Sequence, residues 1–216
     1  MSDVATIRST SGTGVIRVLK ADEQHLLRDH LLRLEPESRH DRFNGGISEE
    51  FLRSYAARSF ENGAIVIAYL QDGVVRGAAE LHGPEQSLDG EPEIAFSVET
   101  RIRRQGVGSA LFEQLLEEAQ RKGYTRLRIT TGGQNEAMKA LANKFGAHLS
   151  FRRGEATGTV DLSRSAALVT KPAPRATAPL SVVMARDVMR ANQAMWGHVL
   201  RFYAGLLDGS QRMGTR

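Results

Sequence analysis

The most restrictive feature of the sequence is the passage from Val98 to Ser109, Val-Glu-Thr-Arg-Ile-Arg-Arg-Gln-Gly-Val-Gly-Ser. Before it, Glu93 to Val98 reads as a strand. After it, Gly106 to Lys122 places Leu111, Phe112, Leu115, Leu116 and Ala119 on one face of a helix, with Gly123 positioned to stop it. A strand that feeds a helix through a short loop calls for a sheet with helices packed on it. The loop also has a chemistry. Successive backbone N–H groups without a Cβ in the way form a nest, a helix start adds about half a positive charge, and flanking arginines add full ones. It suits a pyrophosphate, or it is an ordinary strand-to-helix turn with surface arginines; the glycine pair alone does not decide. Two other phosphate motifs fit poorly. The Gly-Lys-Ser/Thr of a Walker loop is absent, and a dinucleotide fingerprint would want Gly or Ala at 111, where Leu stands.

The remaining elements follow from periodicity and turn chemistry. Val15 to Leu19 reads as a strand, and Asp22 is placed to cap a helix carrying Leu26, Leu27, Leu31 and Leu34 until Pro36 stops it. A second helix is expected from Ser48. Ala64 to Leu70 and Val74 to Leu81 flank Gln71-Asp72-Gly73, a hairpin signal. Arg126 to Thr130 is a strand, Asn135 opens a helix ended by Gly146, and Leu149 to Arg152 with Thr157 to Leu162 forms a last hairpin. The fold class expected is α/β (α+β), a mixed sheet with helices on it. The organisation expected is a flexible lead-in at 1–13, one domain at 14–163, a Pro-containing linker at 164–180, an amphipathic helix at 181–208 and a tail at 209–216.

Charge supports that division. The chain of 216 residues carries +4, but residues 1–163 sum to −2 and residues 164–216 to +6. The basicity belongs to the C-terminal arm, so nucleic-acid binding is not expected of the main domain. That arm is expected to dock on its own domain, a second copy or another partner. With no cysteine there is no disulfide, thiolate metal site or cysteine nucleophile. The six histidines have no metal-like spacing, so no metal site is expected. No apolar run approaches the roughly 18 residues of a membrane span, and a soluble cytoplasmic protein is expected.

Taken together, Arg103-Arg104-Gln105-Gly106-Val107-Gly108, the strand ending at Val98 before it, and the segment Asn135 to Ala147 resemble the GNAT family of N-acetyltransferases over residues 14 to 163. The resemblance implies a mostly antiparallel sheet of about seven strands, in which the strands of Glu93–Val98 and Arg126–Thr130 splay apart. It further implies acetyl-CoA as cosubstrate. Backbone groups near Phe96 and Val98 would pair with the pantetheine arm. Arg103, Arg104, Gln105, Gly106, Val107, Gly108 and Ser109 would hold the pyrophosphate, and Asn135 would contact the pantetheine or phosphate side. Ser38-x-x-x-Arg42-Phe43 resembles an element of a bacterial branch that includes protein lysine acetyltransferases, and Glu93 stands where that branch places its catalytic glutamate. The family's tyrosine after the helix leucine is Ala142 here, which leaves the general acid unassigned.

The reaction so implied is acetyl transfer to a primary amine, a protein lysine or a small metabolite, in a ternary complex. Because a lysine-like amine is mostly protonated at neutral pH, a base must take a proton, and Glu93 is the candidate. His82 and His148 are weaker ones, since a lone histidine is more often structural. The alternative reading is a non-catalytic acyl-CoA sensor.

Overall fold

The computed structural model describes residues 5–9, 12–87, 90–152 and 154–165. Eight strands form one sheet in the order β1-β2-β3-β4-β5-β6-β8-β7. They are β1 (Ala5–Ser9), β2 (Gly12–Val18), β3 (Ile65–Gln71), β4 (Val74–His82), β5 (Glu93–Val98), β6 (Arg126–Gly132), β7 (His148–Arg152) and β8 (Glu155–Asp161). The helices are α1 (Gln24–Arg33), α2 (Pro36–Phe43), α3 (Glu49–Glu61), α4 (Val107–Arg121), α5 (Glu136–Lys144) and the short α6 (Leu162–Ser165). Every neighbouring pair is antiparallel except β5 with β6.

Side chains alternate across the strands, so the sheet buries two separate cores. On one face, Leu111, Phe112, Leu115 and Leu116 of α4 and Met138 of α5 pack on Ile67, Leu81, Ile94, Leu127 and Ile129. On the other, Leu27, Leu31 and Leu52 of α1 and α3 pack on Val66, Ala68, Val75 and Ala78. Odd and even positions of β3 thus serve opposite helix layers, which accounts for its nearly continuous apolar run.

Local signals set most boundaries. Asp72 (φ 52°) and Gly73 (φ 75°) make the β3–β4 turn. Ser48 caps α3 by accepting from Phe51 N–H at 3.1 Å, and Gly123 leaves α4 at φ 78°.

One expectation is corrected, and two elements add to those expected. Asp22 is not the cap of α1: the Glu23 carboxylate accepts from Lys20 N–H at 2.9 Å, a 3-10 turn covers Ala21–Glu23, and the helix starts at Gln24. Pro36 ends one helix and occupies the first turn of the next, where its missing N–H costs nothing. Ala5–Ser9, within the lead-in expected at 1–13, forms β1, paired with β2 from Ala5↔Ile16 to Ser9↔Gly12, which adds an eighth, edge strand to the mixed, mostly antiparallel sheet expected. Residues 166–216, with most of the expected linker and the whole expected helix and tail, lie outside the described residues.

Candidate active site

The parallel pairing of β5 with β6 is confined to Glu93↔Arg128 and Ile94↔Ile129. Beyond that point β5 stays with β4 as far as Val98↔Gly77, while β6 stays with β8 as far as Gly132↔Glu155. The strands therefore diverge, each with one backbone edge facing the gap. A cavity of about 790 Å³ borders the diverging end of β5, Phe96 to Val98, and is walled further by the loop before α4, by α5 and by α2. A stack of three rings holds the inner wall: Phe96 on Phe112 at 5.0 Å between centroids, and Phe112 on Phe145 at 4.2 Å.

Arg104 (φ 60°) and Gly106 (φ 83°) adopt left-handed backbone, and Gly106 is the N-cap of α4. The first N–H groups of a helix have no acceptor within it, so those of Val107, Gly108 and Ser109 are available to an anion. Val107, 1% exposed, anchors the turn from below.

The expected residues divide by role. Phe96, Val98, Arg103, Arg104, Gly106, Gly108, Ser109 and Asn135 line the cavity. Val107 does not, being core, and Gln105 turns its amide to the Arg101 carbonyl at 3.1 Å. The Arg103 guanidinium folds back, donating to the Val98 carbonyl at 3.0 Å and to Ser38 Oγ at 2.8 Å, so it braces the loop against α2. Asn135 caps α5 by accepting from Met138 N–H at 3.0 Å, and donates to Thr131 Oγ1 at 3.0 Å. Lys144, not anticipated, also lines the cavity and donates to Ser109 Oγ at 2.8 Å. Glu93 stands at the closed end of the gap, opposite His82 on β4 and Arg128 on β6, and is not among the lining residues. Ala142 is fully buried, so α5 offers no hydroxyl at that position.

The wall formed by α2 was visible in the sequence only as Ser38-x-x-x-Arg42-Phe43. One turn separates Ser38 from Arg42, which brings both, with Asp41, to the cavity. Arg42 Nη2 donates to Glu80 Oε1 at 2.7 Å and to Tyr55 Oη at 2.7 Å, and the Tyr55 hydroxyl donates to Glu80 Oε2 at 2.8 Å. Glu80 is fully buried. An acidic residue in the apolar run of β4 was the signal available for it. His82 joins the same group, with Nε2 3.3 Å from the Tyr55 hydroxyl and Nδ1 3.1 Å from Gln86 Oε1, so both ring nitrogens are engaged. His148 is exposed on β7.

A second charged group fixes the strand end. Glu99 pairs with Arg33 at 3.1 Å and with Arg76 and Arg101 at 3.2 Å, and buried His30 lies 3.5 Å away. Arg101 is thereby engaged and does not line the cavity.

Burial alone would raise the Glu80 carboxyl, but the Arg42 charge and the bonds from His82 and Arg42 carry it well below the usual range. Burial opposes a lowering at Glu99 as well, where the neighbouring His30 and Arg33 prevail. Both folded values lie under the unfolded one of about 4.3, so these groups contribute stability that is fully present above it and is lost as the pH falls through the folded values. Thermal melts should therefore be flat from pH 7 to about pH 5 and fall steadily below about pH 4. A midpoint constant down to pH 3 would contradict this.

Among the described residues, no group of three His, Asp or Glu side chains could hold a metal ion, and no helix is long and apolar enough to cross a membrane. A family model described as the acetyltransferase (GNAT) family matches residues 27–147. The structure resembles the GNAT domain of S. lividans PAT at 21% identity, with a TM-score of 0.61 over 73% of this chain and 96% of that one. It also resembles an N-acetyltransferase from Staphylococcus aureus Mu50 (19% identity, TM-score 0.53, 69% and 98% covered). A third is yncA from Salmonella typhimurium, solved with its cofactor acetyl-CoA (18% identity, TM-score 0.51, 69% and 94% covered). At these identities the likeness is one of fold.

Proposed function

We infer the activity from one premise: this chain belongs to the acetyltransferase (GNAT) family. It is an N-acetyltransferase with acetyl-CoA as cosubstrate. Within that activity, we assign the acceptor to the class of primary amines, a protein lysine or a small amine, attacked directly in a ternary complex. A cytoplasmic setting, where acetyl-CoA is supplied, goes with it. The observation that carries the reading is that the end of β5, past its last pair with β6, and the glycine loop at the start of α4 line one cavity.

The residues then act as follows. The N–H groups of Val107, Gly108 and Ser109, with Arg104 and Lys144 beside them, take the pyrophosphate. The exposed edge of β5 at Phe96 and Val98 pairs with the amides of the pantetheine arm as a further strand would. Asn135 shapes the wall by capping α5. The thioester reaches the apex of the gap, beyond Ile94↔Ile129. Glu93, one position before Ile94, removes the amine proton through water. The amine nitrogen bonds to the carbonyl carbon, the carbon–sulfur bond breaks, and CoA leaves as its thiolate, a tolerable leaving group without a tyrosine. The +6 arm 164–216 is assigned to docking on a second copy or an acidic partner, and is not needed for the chemistry.

The test is thiol release from acetyl-CoA with a panel of amines and lysine peptides. Tight acetyl-CoA binding with no release for any amine would favour the sensor reading, whose specific support is the missing hydroxyl at Ala142. On a working acceptor, Glu93→Gln should lower kcat at neutral pH by about 100-fold or more, the usual contribution of a general base. Full activity in that variant would remove Glu93 from the mechanism.

A further inference from the structure

We propose that Arg42 is an electrostatic catalytic residue: its guanidinium stabilises the negative charge that develops on the acetyl carbonyl oxygen during attack, held in place by Glu80 and Tyr55. The proposal rests on the acetyl-CoA reading above and adds a residue to it.

Four observations carry it. First, the Arg42 side chain is only 9% exposed yet forms part of the cavity wall. A charge there is expensive, and a well-packed apolar pair would join α2 to the sheet at least as well. Second, it is under-used. Of five N–H donors, the bonds to Glu80 and Tyr55 both come from Nη2, and buried Nε has no acceptor. Third, its place is the apex of the gap. Glu80 stands opposite Ala95 on β5, the residue after the last β5–β6 pair, Ile94↔Ile129. Glu93 and Ala95 share a face of the sheet, and it is the face of Glu80, so the candidate base projects from the same side of the sheet as the Arg42–Glu80 pair. Fourth, fully buried Ala142 supplies no hydroxyl from α5.

The electron count is simple. As the amine nitrogen bonds to the carbonyl carbon, the π pair moves onto oxygen; when it returns, the carbon–sulfur bond breaks and the pair leaves on sulfur. The amine proton goes through water to Glu93. Arg42 gains and loses no proton, and its charge is present before the reaction begins, as electrostatic stabilisation requires.

The experiment compares wild type with Arg42→Lys and with the charge-neutral double variant Arg42→Met/Glu80→Gln, which leaves no buried unpaired charge. Acetyl-CoA binding is measured by calorimetry, folding by thermal melts, and kcat and KM by thiol release with the best amine of the panel. The expected result for the double variant is near-normal melting and acetyl-CoA affinity, unchanged KM for the amine, and a kcat lower by about 100-fold, the usual loss on removing one oxyanion donor, whereas Arg42→Lys, which keeps the charge, should lose less. A folded double variant with wild-type kcat overturns the proposal, as does a loss confined to KM. A second measurement needs neither a variant nor an acceptor. The infrared stretch of ¹³C=O-labelled acetyl-CoA bound to wild type should lie below that of the free thioester, and an unshifted stretch also overturns the proposal. If wild type releases no thiol with any amine, it is the acetyltransferase reading that fails, and the proposal with it.

Discussion

Glu80→Ala should be the most damaging single change in the described domain, with a loss of about 3 to 5 kcal/mol, against the 5 to 15 that holds a typical domain together. Three consequences combine. The Arg42 guanidinium, 9% exposed, loses its counter-charge. The Tyr55 hydroxyl loses the carboxylate to which it donates at 2.8 Å. A fully buried side chain on the central strand β4 leaves a void. For a domain of this size the midpoint of thermal unfolding should fall by about 10 °C or more. The control is Arg42→Met/Glu80→Gln, which removes both charges together and should recover most of the loss, since it is a buried unpaired ion, and not the absence of a salt bridge, that destabilises. A midpoint within a degree or two of wild type for Glu80→Ala would mean that water reaches this group.

Gly106→Val should separate binding from folding. Gly106 sits at φ 83°, and a Cβ there meets nothing within 4 Å, so the obstacle is the backbone conformation and not crowding. A β-branched residue resists left-handed backbone at a cost of about 1 to 2 kcal/mol, which is affordable in the global balance but is relieved by letting the turn change shape. Once it does, the N–H groups of Val107, Gly108 and Ser109 no longer converge. Losing one or two charge-assisted hydrogen bonds of about 1.5 to 3 kcal/mol each should weaken acetyl-CoA binding by about 100-fold or more. Calorimetry of acetyl-CoA, beside a melt showing the fold intact, checks both halves. Undiminished affinity would remove the nest from the binding site.

What was legible in the sequence is what is decided locally. Asp72-Gly73, the helix starts at Ser48 and Asn135, the stop at Gly123 and the strand–loop–helix around Gly106 each depend on a few neighbouring residues, and each stands in the structure as expected. Even there, two acids one position apart could not be told apart, and Glu23, not Asp22, capped the turn. The unread part depended on partners far along the chain. Arg42 lies 38 positions from Glu80, and Arg103 lies 65 from Ser38; no periodicity reports such pairs. The basic triplet was legible as a cluster but not as three tasks. Arg101 joins the Glu99 group, Arg103 braces α2, and Arg104 is left at the cavity.

The brief β5–β6 contact has a further consequence. Two bridged residue pairs are all that the ladder between β5 and β6 comprises, and the end of β5 beyond them borders the cavity. The sheet is therefore a seam left partly unstitched, which an extended amide-bearing ligand can close. A ligand bound only by the folded chain adds RT ln(1 + [L]/Kd) to stability, so the melting temperature of this domain should follow the acetyl-CoA concentration. The amides of Ala95 to Val98 that face the gap should gain most in hydrogen-exchange protection. That binding mode is checked by whether melting temperature and exchange protection rise together as acetyl-CoA is added.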